Sequence, residues 1–284
     1  MTTFYTINGS NFEDVYIRRD LLAQGGLWAW GKATMGALGD STLVDKSSPV
    51  QTIAGGTNWK QISMGNAFTG AIKIDGTLWM WGSNGSGQLG DNTTTNKSSP
   101  VQTIATGTNW KQVSVASDST AAIKTDGTLW LWGYNGSGEL GDNTTTNKSS
   151  PVQTVAGGTN WKQVAGGPSI FAAIKTDGTL WLWGYNSNGQ LGDNTTTSKS
   201  SPVQTIAGGT NWKQVNCGSA TAAIKTDGTL WLWGDNSYGQ LGDNTTTRRS
   251  SPVQTVAGGT NWKQVSCNQG PTAAIKTDGT LWLW

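Results

Sequence analysis

The chain has 284 residues, enough for one large or two average domains, and 13% of them are charged, about half the usual share. A net charge of +2 argues against an electrostatic binder of nucleic acid or of a membrane surface. No apolar run reaches the length of a transmembrane helix, and the first residues, MTTFYTINGSNFED, lack the basic-then-apolar pattern of a secretory signal. The expectation is a cytoplasmic protein, or one released without a signal as part of a virion or other extracellular particle.

Residues 1–46 read as a worn copy of a repeat that is much clearer in the rest of the chain. FYTINGSNFEDV aligns with VQTIAGGTNWKQV, with Phe12 where later copies carry Trp. From there the repeat is plain. Asn-Trp recurs at Trp59, Trp110, Trp161, Trp212 and Trp262, in steps of 51, 51, 51 and 50 residues. The first Trp of LWxW recurs at Trp28, Trp79, Trp130, Trp181, Trp231 and Trp282, in steps of 51, 51, 51, 50 and 51. With the second Trp of each LWxW, these account for all 17 tryptophans. A period near 50 with Gly-rich, aromatic punctuation and few helix signals points to an all-β propeller. Six copies are expected, over residues 1–46, 47–97, 98–148, 149–199, 200–249 and 250–284, as one propeller domain.

Each copy offers four strands. PVQT is an outer strand, where the proline's missing donor is tolerated. WKQV is the second, AAIK the third and TLWLW the fourth. Asp-Gly in TDGT joins the last two, because the turn needs positive φ. Leu and Trp alternate in LWLW, so both faces of that strand are expected to be buried against neighbouring blades. The last copy stops at LWLW. The outer strand of one copy can complete the sheet of the copy before it, so Thr2–Ile7 (TTFYTI) is expected to complete the sixth blade, close the ring and remove a free sheet edge.

The chemistry available is sparse. There is no His, hence neither the usual general base nor the commonest metal ligand. Asp75, Asp126, Asp177, Asp227 and Asp278 belong to the TDGT turns. Asp91, Asp142, Asp193 and Asp243, with Asp40, sit in LGDN-type loops as side-chain caps. One carboxylate per loop is too few for calcium. Cys217 and Cys267 occupy the same repeat position and read as buried free thiols. Arg18-Arg19 and Arg248-Arg249 read as solvated loop charge. No phosphate loop, zinc spacing or dinucleotide motif is present. The chain is expected to be no enzyme, with no catalytic residues, metal or cofactor.

The copies differ mainly in two stretches, between the second and third strands and just after LWxWG. Strand alternation puts both at the same end of a blade, and loops on a rigid scaffold are where binding residues gather. The candidate binding face comprises Asn66, Phe68, Ser117, Asp118, Ser169, Ile170, Phe171, Asn268 and Gln269, with Tyr134, Tyr185, Asp235 and Tyr238 beside them.

The core Trp-Gly-x-Asn-x-x-Gly-Gln-Leu-Gly occurs at Trp81–Gly90, Trp183–Gly192 and Trp233–Gly242, with Glu139 replacing Gln in the third copy. With SSPVQT, WKQV and AAIKTDG it resembles the regulator of chromosome condensation repeat family across nearly the whole chain. That resemblance implies a propeller of about 50-residue blades, usually seven. Members often carry His-Thr at the start of the third strand. This chain does not, and it lacks both the hairpin that the nuclear exchange factor turns on its GTPase and a basic tail. The expectation is a non-catalytic binding module, displayed on a virion as a phage tail, fibre or capsid component and engaging a protein or host surface, with other virion proteins as further partners. The alternatives are a soluble protein-binding regulator, acting as inhibitor or exchange factor, and a lectin.

Overall fold

The computed structural model describes residues 26–105 and 107–284. In chain order the strands are β1 (Trp28–Gly31), β2 (Lys46–Gln51), β3 (Trp59–Met64), β4 (Phe68–Lys73), β5 (Leu78–Gly82), β6 (Lys97–Gln102), β7 (Trp110–Val115), β8 (Ser119–Lys124), β9 (Leu129–Gly133) and β10 (Lys148–Gln153). They continue as β11 (Trp161–Gly167), β12 (Ile170–Lys175), β13 (Leu180–Gly184), β14 (Lys199–Gln204), β15 (Trp212–Cys217), β16 (Ala220–Lys225), β17 (Leu230–Gly234), β18 (Arg249–Gln254), β19 (Trp262–Cys267), β20 (Thr272–Lys276) and β21 (Leu281–Leu283). A single 3-10 turn, Thr34–Gly36, interrupts the all-β pattern among the described residues.

Four sheets have four strands each, in the orders β3-β4-β5-β6, β7-β8-β9-β10, β11-β12-β13-β14 and β15-β16-β17-β18. β1 pairs with β2, and β19-β20-β21 form a three-stranded sheet among the described residues. Each complete sheet therefore takes its outer strand from the following copy of the repeat, as the sequence suggests. That strand is longer than expected, since it begins at Lys or Arg and includes both serines. Opposite Trp183 the ladder skips, with Leu182 facing Val203 and Gly184 facing Lys199. Ser200, Ser201 and Pro202 bulge out of the ladder there, so the proline's missing N–H costs no sheet bond. The expectation that Thr2–Ile7 complete the last sheet, and the alignment through Phe12, lie outside the described residues.

The chain forms two compact units. One holds the described residues up to Asp126 with Trp130–Tyr134 and Thr146–Val152, and the other holds Gly127–Leu129, Asn135–Thr145 and Gln153–Trp284. Packing is the same within each. The second Trp of LWxW is fully buried (Trp81 and Trp132 in the first unit, Trp183 and Trp233 in the second). In the first unit the Asn-Trp rings of Trp59 and Trp110 meet Trp81 and Trp132 edge-on, with centroids 6.3 and 6.1 Å apart. In the second unit, Trp161–Trp183 and Trp212–Trp233 do the same at 6.4 and 6.2 Å. This geometry suits the ring quadrupoles and adds about 1 kcal/mol per pair to the area buried.

The first Trp of LWxW departs from expectation. Trp79, Trp130, Trp181 and Trp231 are only half-buried, each with the lysine that ends the third strand of its copy over its ring. Lys73 Nζ stands 4.8 Å from the centroids of both Trp59 and Trp79. Lys225 stands 4.7 Å from Trp212 and 4.9 Å from Trp231. The alkyl stem covers apolar ring and the ammonium is attracted to both faces.

The Asp-Gly turns behave as read. Asp75 Oδ1 accepts from the Thr77 amide at 3.0 Å and hydroxyl at 2.7 Å. Gly76 has φ 81°, and a Cβ there would lie 2.1 Å from the Thr108 carbonyl oxygen. The turn thus needs glycine both for its backbone and for the close approach of the next copy, whose Trp110 amide bonds the Gly76 carbonyl at 3.0 Å.

The long loop after LWxWG is organised by one buried side chain. Asn186 is fully buried, and its Oδ1 accepts from the Leu191 amide at 2.9 Å. Its Nδ2 donates toward Asp193 Oδ1 at 3.3 Å and the Thr195 and Thr197 carbonyls at 3.1 Å each. Asn84 and Asn236 repeat this pattern. Replacing Asn186 by Ala would strand these groups away from water. We expect a loss of about 3 kcal/mol, read as a lower urea midpoint with an unchanged m-value.

Candidate binding surface

The two variable stretches of each copy adjoin one another. In the first unit the Ser83 amide donates to the Ala67 carbonyl at 2.8 Å and the Tyr134 amide to the Asp118 carbonyl at 2.9 Å. In the second unit Tyr185 bonds Ser169 at 2.8 Å, and Asp235 bonds Ser219 at 3.2 Å. Within a unit the stretches also touch from copy to copy. The Asn66 amide donates to Ser117 O at 3.1 Å, and the Ser219 amide donates to Asn268 O at 3.0 Å.

In the first unit Asn66 is exposed, Ser117 and Asp118 are half-buried, and Tyr134 is 40% exposed. Gln88 Nε2 reaches Asp118 Oδ1 at 3.4 Å, and burial raises the Asp118 pKa. In the second unit Ser169, Tyr185 and Asn268 are half-buried and Gln269 is exposed. Tyr238 is 85% exposed. Asp235 beside it accepts from the Ser237 hydroxyl at 2.7 Å and from Arg248 Nε at 3.0 Å. Burial works against the Asp235 carboxylate, but these hydrogen bonds hold its pKa below the usual value.

Three expected surface residues are core instead. Phe68, Ile170 and Phe171 are at most 1% exposed. They open β4 and β12, and the ladder turns their side chains inward. Phe171 stacks on Trp183 with centroids 6.3 Å apart, where the other copies place a buried Thr. Variation there is a change of packing, so these three cannot contact a partner directly. Arg248 and Arg249, read as solvated charge, are paired with Asp235 and with Asp243 at 3.0 and 2.8 Å. The available signal was that only this copy combines Asp235 with Arg-Arg.

Both thiols are buried. Burial, then the neighbouring Cys267, pushes Cys217 up, and burial pushes Cys267 up to about 12, so neither supplies a thiolate. No cluster of three or more His, Cys, Asp or Glu side chains able to hold a metal occurs among the described residues. The side chains on offer are amides, hydroxyls, phenols and one Asp–Arg pair, a set suited to recognition.

Glu139 stands apart. It occupies the position of Gln88, Gln190 and Gln240, fully buried, with Oε2 accepting from the Ser137 amide at 2.8 Å and Oε1 without a partner. Burial raises its pKa more than the hydrogen bond from Ser137 lowers it. Its contribution to stability is therefore full below the ordinary value of 4.5 and is lost as pH rises through the folded-state value. Glu139→Gln removes that dependence. Urea midpoints of parent and variant should lie close together at about pH 4, and the variant should be ahead at about pH 7.

Comparison with known proteins places this geometry. Residues 21–284 match the family described as RCC1-like domain. The ultraviolet-B receptor UVR8 of Arabidopsis thaliana is 32% identical over 169 residues, 58% of this chain and 38% of the receptor. The probable E3 ubiquitin-protein ligase HERC4 of Homo sapiens is 29% identical over 196 residues, 67% of this chain and 18% of the ligase. The chain thus spans well under half the length of these relatives. Among solved structures, human WBSCR16 superposes with a TM-score of 0.76 at 22% identity, covering 89% of this chain and 68% of that one. Yeast RCC1 (Prp20), solved bound to Kap60, gives 0.77 at 17% identity, covering 92% and 66%. A second Prp20p structure, whose binding to Gsp1p and histones is described with it, also gives 0.77 at 17% identity, covering 92% and 68%.

Proposed function

The chain belongs to the RCC1-like domain family, and we propose that it is a non-catalytic protein-binding β-propeller of six blades that engages a protein partner through its variable loop ends. The observation that carries this reading is the adjacency of the two variable stretches within each copy. Within each unit they form a polar and aromatic surface on a scaffold whose other parts repeat almost unchanged. Such a surface gains specificity from differing loops and loses nothing from an identical frame. Solved relatives of this fold are described with proteins as partners, namely Kap60, Gsp1p and histones. Those pairings are theirs, but they favour a regulator that binds protein over the expected particle component. A sugar-binding role would call for equivalent sites, whereas the corresponding positions here carry Ser83, Tyr134, Tyr185 and Asp235.

Tyr134 and Tyr238 are the aromatic anchors to test, since exposed tyrosines are frequent binding hot spots. Incubated with extract of its source organism, the protein should capture a partner in a saturable one-to-one complex. Tyr134→Ala or Tyr238→Ala should weaken the purified complex about tenfold while leaving Tm unchanged. Full affinity in both variants would remove this surface from the reading.

A further inference from the structure

Two copies of the repeat hold a carboxylate against the same buried glutamine. In the second unit, Gln240 Oε1 accepts from the Tyr238 amide at 2.8 Å, which aims Nε2 at Asp235 Oδ2, 3.2 Å away. Asp235 Oδ1 then accepts from the Ser237 hydroxyl at 2.7 Å and from Arg248 Nε at 3.0 Å. In the first unit, Gln88 is fixed the same way. Its Oε1 accepts from the Ser86 amide at 2.9 Å, and its Nε2 reaches Ser83 Oγ and Asp118 Oδ1, each at 3.4 Å. Among the described residues Asp118 has no cation, and its Oδ2 accepts no hydrogen bond.

The loop carboxylates elsewhere are matched. In the first unit Lys46 and Lys97 stand 3.4 and 3.5 Å from Asp40 and Asp91. In the second, Lys199 and Arg249 stand 3.7 and 2.8 Å from Asp193 and Asp243. Asp118 is half-buried, and burial raises its pKa, whereas at Asp235 burial is outweighed by the hydrogen bonds from Ser237 and Arg248. In the loop of Gln88, the counterpart of Arg248 is Asn96. Asn96 is neutral, and its Oδ1 is taken by the Asn84 amide at 2.8 Å. A partly desolvated carboxylate gains more from a cation than a fully hydrated one does. Tyr134, 40% exposed, adjoins it, donating its amide to the Asp118 carbonyl at 2.9 Å.

We propose that Asp118, with buried Gln88 behind it and Tyr134 beside it, is the receiving site for an arginine side chain of the protein partner. This rests on the reading of the variable loop ends as a protein-binding surface. Arg248 on Asp235 is the occupied form of the same arrangement, and it specifies the occupant: a guanidinium meets one carboxylate oxygen while the glutamine amide holds the other. At Asp118 the open oxygen is Oδ2. A guanidinium there gains a charge-assisted hydrogen bond and an aromatic neighbour on which its plane can stack. A lysine ammonium would keep the charge but lose the stacking and the fork of donors.

The test titrates the full chain with acetyl-Gly-Arg-Gly-amide, with acetyl-Gly-Gln-Gly-amide as control, following the Asp118 carboxyl carbon and the Tyr134 ring by nuclear magnetic resonance. Expected are saturable shifts of both signals with the Arg peptide alone, weakening about fivefold between low salt and about 0.5 M salt. Asp118→Asn keeps an acceptor for Gln88 and removes the charge, so it should abolish the Tyr134 shift without lowering Tm. Equal shifts with the Gln peptide, or unchanged binding in Asp118→Asn, would overturn the proposal. Binding that emerges only when Arg18→Gln and Arg19→Gln are introduced would overturn it in favour of a cation from this chain. With a captured partner, Asp118→Asn should weaken the purified complex about tenfold. Full affinity there, beside a loss in Tyr134→Ala, would overturn the arginine site and leave the surface reading standing. Arg-peptide binding without any captured partner would support the site and count against that reading.

Discussion

One peptide carbonyl per copy holds the next copy in place. In the first unit the Gln88 carbonyl accepts from the Trp132 indole and the Thr120 hydroxyl, both at 2.8 Å, and all of these groups are buried. In the second unit the Gln190 carbonyl does the same for Trp233 and Thr221 at 2.7 and 2.9 Å. Two donors on one desolvated oxygen leave no room for water, so misplacing that oxygen strands both. Its position depends on the loop after LWxWG, and that loop depends on the buried Asn. Lateral packing and loop shape are thus a single mechanical system. The Glu139 carbonyl is an irregular joint: it takes Trp183 while Phe171 replaces the second donor by stacking on the same ring.

That system separates the two ends of each sheet. At one end, Asp-Gly turns, Asn-Trp rings and their lysines recur with hardly a change: the turn takes the next copy's Asn-Trp amide, as Gly76 takes Trp110, and the lysine lies over two rings of its own copy, as Lys73 does over Trp59 and Trp79. At the other end, the loop after the second strand has few such obligations beyond its backbone. Asn66, Ser117 and Asn268 meet their neighbours through main-chain amides and carbonyls, which do not depend on the side chain. Variation is cheap where the backbone makes the contact, and recognition can be written there without loss to the frame.

Much of this was legible in the residues. The 51-residue step gave the sheet boundaries, and Asp-Gly gave the hairpins. The LGDN aspartates were readable as caps, as Asp193 with the Thr195 amide and hydroxyl at 3.0 and 2.7 Å illustrates. What was not legible depended on depth. Two tryptophans two residues apart look alike in LWLW, yet one fills the seam and the other lies under a lysine from the adjacent strand. Phe68 and Phe171 sit in variable stretches, but the ladder begins one residue earlier than variability alone suggests. The serines before PVQT carry no strand signal of their own, because their partner is another copy's Asn, some 58 residues away.

The borrowed outer strand has a consequence for how such a chain can change. A sheet contains three strands of one copy and one of the next, so no single position in the period marks a self-contained piece. Any excision or insertion of one full period, wherever its endpoints fall, rejoins equivalent residues. Every remaining seam keeps its carbonyl, indole and serine pair. Unequal recombination between the near-identical copies can therefore lengthen or shorten the array from almost any crossover point, and the product differs only in which variable loops it inherits.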